Sequence, residues 1–147
     1  MQSKMVAETA DGRTFVVVVE AGEEAFSAIT NFARSAKLPG ASLTALGAFE
    51  RATVGWFDPA AKDYRKIEVG EQNEALSLIG DVATDDRGEP SLHLHAVLGL
   101  RDGSTRGGHL LEAIVRPTLE IMLKETPRAL RRRKRPELGV ALIDLSQ

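Results

Sequence analysis

The chain has 147 residues, 43% hydrophobic and 27% charged, with 19 Lys plus Arg against 21 Asp plus Glu. That composition is ordinary for a soluble globular domain, and a net charge of −2 excludes a protein whose whole surface grips nucleic acid. The absence of cysteine excludes a disulfide framework, thiolate catalysis and a cysteine-held metal.

The length predicts a single domain over residues 1–147. Met1-Gln2-Ser3-Lys4-Met5 lacks the apolar core of a secretory signal, and no apolar run reaches the length of a membrane span. A cytoplasmic protein with no membrane partner is expected.

In chain order, Thr14 to Glu20 is dense in β-branched residues and predicts an interior strand. Gly22-Glu23-Glu24 then opens a helix, its acids suited to the positive helix end. Phe26, Ile29, Phe32, Ala33 and Ala36 recur at helical spacing, and Leu38-Pro39-Gly40 stops the helix. From Ala41 to Phe57 the pattern predicts one long strand, or two interrupted near Gly47. A loop over Asp58 to Asp63, a strand over Tyr64 to Val69 and another over Glu74 to Val82 follow. In the last of these, alternation puts Leu76, Leu78 and Val82 on one face. Thr118 to Glu125 reads as a strand, and Gly139 to Leu145 closes the sheet.

All three histidines lie between Ser91 and His109. His93 and His95 are two apart, so on a strand they leave the same face, with Leu92, Leu94, Ala96, Leu98 and Leu100 on the other. A three-residue loop at Arg101 to Gly103 pairs Leu100 with Ser104, and counting outward sets His95 opposite His109. A two-residue loop turns His109 away unless a bulge at Gly107-Gly108 restores it. In the first register three imidazoles meet on one patch, the donor set of a metal site with one position left open. In the other, the histidines are polar residues on a wet sheet face.

Between Arg128 and Arg135 six of eight residues are basic. Arg131, Arg132, Arg133, Lys134 and Arg135 are the nucleic-acid candidates, and a solvated loop between two strands accounts for them equally well. Glu50, Glu74, Asp81 and Glu112 are candidates for proton transfer beside a metal, Arg51 and Arg106 for holding an anionic substrate, and Trp56 and Phe57 for lining a pocket. The sequence designates no catalytic residue among them. Many strands and one amphipathic helix predict an α+β domain with a mostly antiparallel sheet.

Leu92-His93-Leu94-His95, the Asp102-Gly103 turn, Gly107-Gly108-His109-Leu110-Leu111 and Thr118-Leu119-Glu120 together resemble the plant and prokaryote conserved (PPC, DUF296) domain family. Gly47-Ala48, Asp58-Pro59 with Tyr64, and Glu74 to Gly80 extend the resemblance over nearly the whole chain. It implies one main helix with short additional helical segments on a mostly antiparallel sheet, a homotrimer, and a DNA-binding or assembly role. Plant members carry AT-hooks; this sequence has no Arg-Gly-Arg-Pro core, and Gln72-Asn73 stands where plant relatives have Gly-Arg-Phe before a glutamate. The fold group also includes acetolactate decarboxylases and a metal-dependent ester hydrolase that are similar in holding zinc on a His-x-His pair and a third histidine. That likeness implies a divalent metal, zinc first, on His93, His95 and His109, and an alternative role as a small metal-dependent hydrolase or decarboxylase with a small-molecule ligand.

Overall fold

The computed structural model describes residues 1–146. The chain opens with β1 (Gln2–Thr9), β2 (Gly12–Glu20) and the helix α1 (Ala25–Ser35). It continues through β3 (Ala41–Asp58), β4 (Asp63–Val69), β5 (Asn73–Thr84) and β6 (Pro90–Gly99). Last come β7 (Thr105–Glu125), β8 (Arg131–Arg135) and β9 (Val140–Asp144).

All nine strands join one sheet. The two longest organise it: β7 pairs with β3, β3 with β5, β5 with β6, and β6 returns to β7. These four strands therefore form a closed ring, which removes their free edges. The β1–β2 hairpin extends the sheet from β7, β4 lies along the far half of β3, and β8–β9 hangs from the end of β5. Pairing is antiparallel except where Thr84 meets Arg131.

The helix buries Ala25, Ala28, Ile29, Phe32 and Ala33 against the sheet. Phe32 meets Phe15 of β2 edge-on at 5.3 Å between ring centroids. Glu24 is the N-cap, its carboxylate accepting from the backbone N–H groups of Phe26 and Ser27 at 3.0 and 2.7 Å, which satisfies donors the first turn leaves unpaired.

The α+β expectation with short additional helical segments is overturned: among the described residues α1 is the sole helix and the fold is mainly β. Two strands escape a hydrophobic pattern: the edge strand β1, and β8, which lies between β5 and β9. All of β1 is exposed, and β8 is wholly basic, with Arg132 buried on it. A second correction concerns Leu76. A bulge between Ala75 and Ser77 breaks the alternation, so Leu76 is 52% exposed while Leu78 and Val82 are buried. The same extra residue on β5 shifts its register against β3 between Ala45 and Gly47, where Leu46 faces outward by ordinary alternation with Ser42 and Thr44.

Candidate metal centre

The histidine hairpin is set by its turn. Leu100 N–H donates to Ser104 O at 2.8 Å and Gly103 N–H to Leu100 O at 2.9 Å. The Asp102 carboxylate accepts from the Ser104 amide and hydroxyl at 2.9 and 2.6 Å, a side chain standing in for a backbone acceptor in a tight turn. In the resulting register His95 pairs with His109 and Gly99 with Thr105. On the opposite face Leu92, Leu94, Ala96 and Leu98 enter the core, and their burial holds the imidazoles on the outer side.

Two glycines allow the neighbouring strands to approach. A Cβ at Gly108 would sit 2.5 Å from Gly55 O, and one at Gly80 would sit 2.0 Å from His93 O. Gly55, opposite His109 on β3, also leaves room for the Tyr64 ring. That ring stacks on His109 at 4.7 Å and 22°.

The three imidazoles converge. Ring centroids are 5.0 Å apart for His93–His95, 5.2 Å for His93–His109 and 5.5 Å for His95–His109. The Nε2 atoms of His93 and His95 face each other at 3.1 Å. One ring nitrogen from each histidine lies within 4.8 Å of the others. Nδ1 of His109 is buried without a hydrogen-bond partner among the described residues.

These residues fit a metal ion. Tetrahedral Zn–N bonds of about 2.0–2.1 Å place two donors roughly 3.3 Å apart, which the His93–His95 pair nearly matches. Burial also favours the ligand form: desolvation, then the nearby Arg132 and His95, holds His93 below the usual imidazole range. Desolvation, with His93 and His95 next, pushes His109 down to about 4. Both rings are therefore neutral near pH 7, as ligation requires.

The cluster lies in a hollow of roughly 560 Å³ whose walls include Trp56, Phe57, Tyr64, Arg132, Val140 and Leu142. Arg132 is 4% exposed. Its guanidinium donates to Ser91 O at 2.7 Å, to Ser91 Oγ at 3.4 Å and to the Asp81 carboxylate. Asp81 pairs in register with His93, so of the four candidate acids it is the one brought beside the histidines. Glu50 is exposed and meets Arg51 at 3.2 Å and Arg116 at 3.9 Å. Glu74 lies at the far end of the β5–β6 pairing, opposite Gly99, and Glu112 shares a separate depression with Arg51 and Glu68. Arg106 is exposed, bonded to Thr105 O at 3.0 Å.

The basic run is a strand rather than a loop, and it splits by face. Arg131, Lys134 and Arg135 are exposed, Arg132 is turned inward, and Arg133 meets Asp144 at 2.9 Å. Sequence reasoning missed several members of the hollow, Tyr64 and Arg132 among them. Tyr64 carried no chemical motif, and nothing in five consecutive basic residues singles out the one that turns in.

The family model for the Plants and Prokaryotes Conserved (PCC) domain matches residues 6–127. A Pyrococcus horikoshii plant- and prokaryote-conserved protein is 34% identical with a TM-score of 0.86, covering 93% of this chain and 94% of its own. A Bacteroides thetaiotaomicron protein provisionally named as DNA-binding is 27% identical with a TM-score of 0.86, covering 91% and 93%. An Archaeoglobus fulgidus protein described as metal-containing is 31% identical with a TM-score of 0.83, covering 95% and 99%. More distantly, a Bacillus subtilis acetolactate decarboxylase shares the fold alone, at 12% identity and a TM-score of 0.54, covering 81% of this chain and 54% of its own. No curated protein matches the sequence.

Proposed function

Because the chain belongs to the Plants and Prokaryotes Conserved domain family, we propose that it is a metal-binding member holding a divalent ion, zinc first, on His93, His95 and His109. The observation that carries this reading is the convergence of three ring nitrogens within 4.8 Å on the outer face of one hairpin. The metal-containing description of the Archaeoglobus fulgidus relative supports it. A divalent ion on three neutral imidazoles keeps its full charge, acidifies bound water and polarises carbonyl groups. The chain's own part is to hold His93 and His109 neutral, to brace His109 against Tyr64, and to leave the hollow open to a small ligand. Which reaction, if any, follows depends on that ligand; a small hydrolase or decarboxylase is the catalytic version of the same reading.

Elemental mass spectrometry on protein purified without added metal tests the proposal. The expected result is close to one divalent ion per chain, absent in His93→Ala. A wild type that arrives empty and refuses zinc in titration would sink it.

The same proposal takes residues 1–147 as one domain, assembled as a homotrimer in the cytoplasm. Val16, Leu46, Leu76, Ile79 and Met122 line one depression on the outside of the sheet, and four of these side chains are about half exposed or more. Contiguous apolar surface of this kind marks an interface.

A DNA-binding role is the second reading, favoured by the provisional name of the Bacteroides thetaiotaomicron neighbour and the exposed Arg131, Lys134 and Arg135. Neutralising those three is expected to abolish any DNA retention and flatten its salt dependence. Unchanged binding would remove the basic strand from consideration.

A further inference from the structure

Arg132 is the outlying group around the histidines. It sits on β8, beyond residue 127 where the family match ends, so the β8–β9 hairpin adds a cation to a site built by β3, β6 and β7. A guanidinium normally points to water; this one is 4% exposed and forms part of the lining of the histidine hollow. It has five N–H donors, and its contacts to Ser91 O, Ser91 Oγ and Asp81 engage at most three. Asp81 offsets its charge only partly, because that side chain remains 30% exposed to water. The same hairpin places Val140 and Leu142 in the lining, where Trp56, Phe57 and Leu92 also stand.

We infer that the hollow binds a small aliphatic carboxylate, its head group drawn to Arg132 and to the ion the three histidines would hold, and its hydrocarbon body against the apolar walls. The inference rests on the metal reading above and gives that site a ligand class. A divalent ion held by the three histidines would form, with the inward guanidinium, a cationic focus suited to a carboxylate, which Arg132 can grip as a fork. The apolar walls favour an organic body over a bare inorganic anion.

The test uses full-length protein loaded with Co²⁺, whose visible absorption reports its coordination, titrated with isobutyrate and with the neutral isobutyramide. Isobutyrate is expected to shift the spectrum saturably and isobutyramide to bind at least tenfold more weakly. Arg132→Met should keep its cobalt and weaken isobutyrate at least tenfold, with Arg132→Lys intermediate. Because Arg132 is buried and its replacement can unfold the chain, Asp81→Asn provides an independent arm: removing the competing carboxylate should tighten isobutyrate severalfold. A chain that binds no cobalt overturns the metal reading and this one together. A cobalt-loaded chain whose spectrum ignores isobutyrate, or whose affinity is the same in Arg132→Met and weaker in Asp81→Asn, overturns this inference alone.

Discussion

His109 carries the largest consequence of any one side chain. Burial pushes its imidazole from an ordinary value of 6.5 to about 4. Between those values the unfolded chain takes up a proton that the folded chain refuses, so stability of the metal-free protein falls as pH drops from 6.5 towards 4 and levels off below. The ring is partly solvated, which reduces the effect to about 1 to 2 kcal/mol. His93, also held low, adds in the same direction. Urea denaturation of metal-free protein at pH 7 and pH 5 should show the loss, and His109→Phe should shrink it. Equal pH dependence in the two proteins would contradict the assignment. The residue types at this site were legible in the sequence, because a His-x-His pair and a later histidine can be counted. The depth of His109 was not, since it depends on Tyr64 and Gly55 arriving from β4 and β3.

Among the elements, β2, α1 and β7 are tied at one point. Arg13 donates to both carboxylate oxygens of Glu125 at 2.7 Å, its Nη2 also reaches Ala36 O at 3.0 Å, and its backbone N–H meets the same carboxylate at 3.1 Å. The Glu125 side chain is 11% exposed, and the hydrogen bonds from Arg13 hold its carboxyl below the usual range. The stability it contributes is present at neutral pH and is lost as pH falls through that lowered value. Glu125→Gln should cost about 1 to 2 kcal/mol in denaturant unfolding at pH 7. A change within 0.3 kcal/mol, about the size of a neutral surface substitution, would show the fork to be incidental. The strands and helix of the core were readable from period-2 and period-3.6 patterns. Strands β1 and β8 were not, because exposed or uniformly charged residues carry no alternation to detect.

At the scale of the whole molecule, alternation along β3 and the bulge on β5 put Leu46 and Leu76 on the outside, beside Ile79 and Met122. Under the homotrimer reading this surface is covered by further copies, and Leu46→Asp should reduce the mass measured by light scattering to that of one chain while leaving the β-rich circular dichroism intact. A wild type that is already monomeric at high concentration would refute it. The sequence by itself determined the main strands of the core, the amphipathic helix, the shared strand face of His93 and His95, and the absence of thiol chemistry. Those are local matters of periodicity and residue type. Only the tertiary structure decided that the hairpin sets His95 opposite His109, that four strands close into a ring, that a bulge on β5 turns Leu76 outward, and that Arg132 of a distant basic strand lines the histidine hollow. Each of these depends on which strands become neighbours and in what register, and that follows from packing the entire chain around one core.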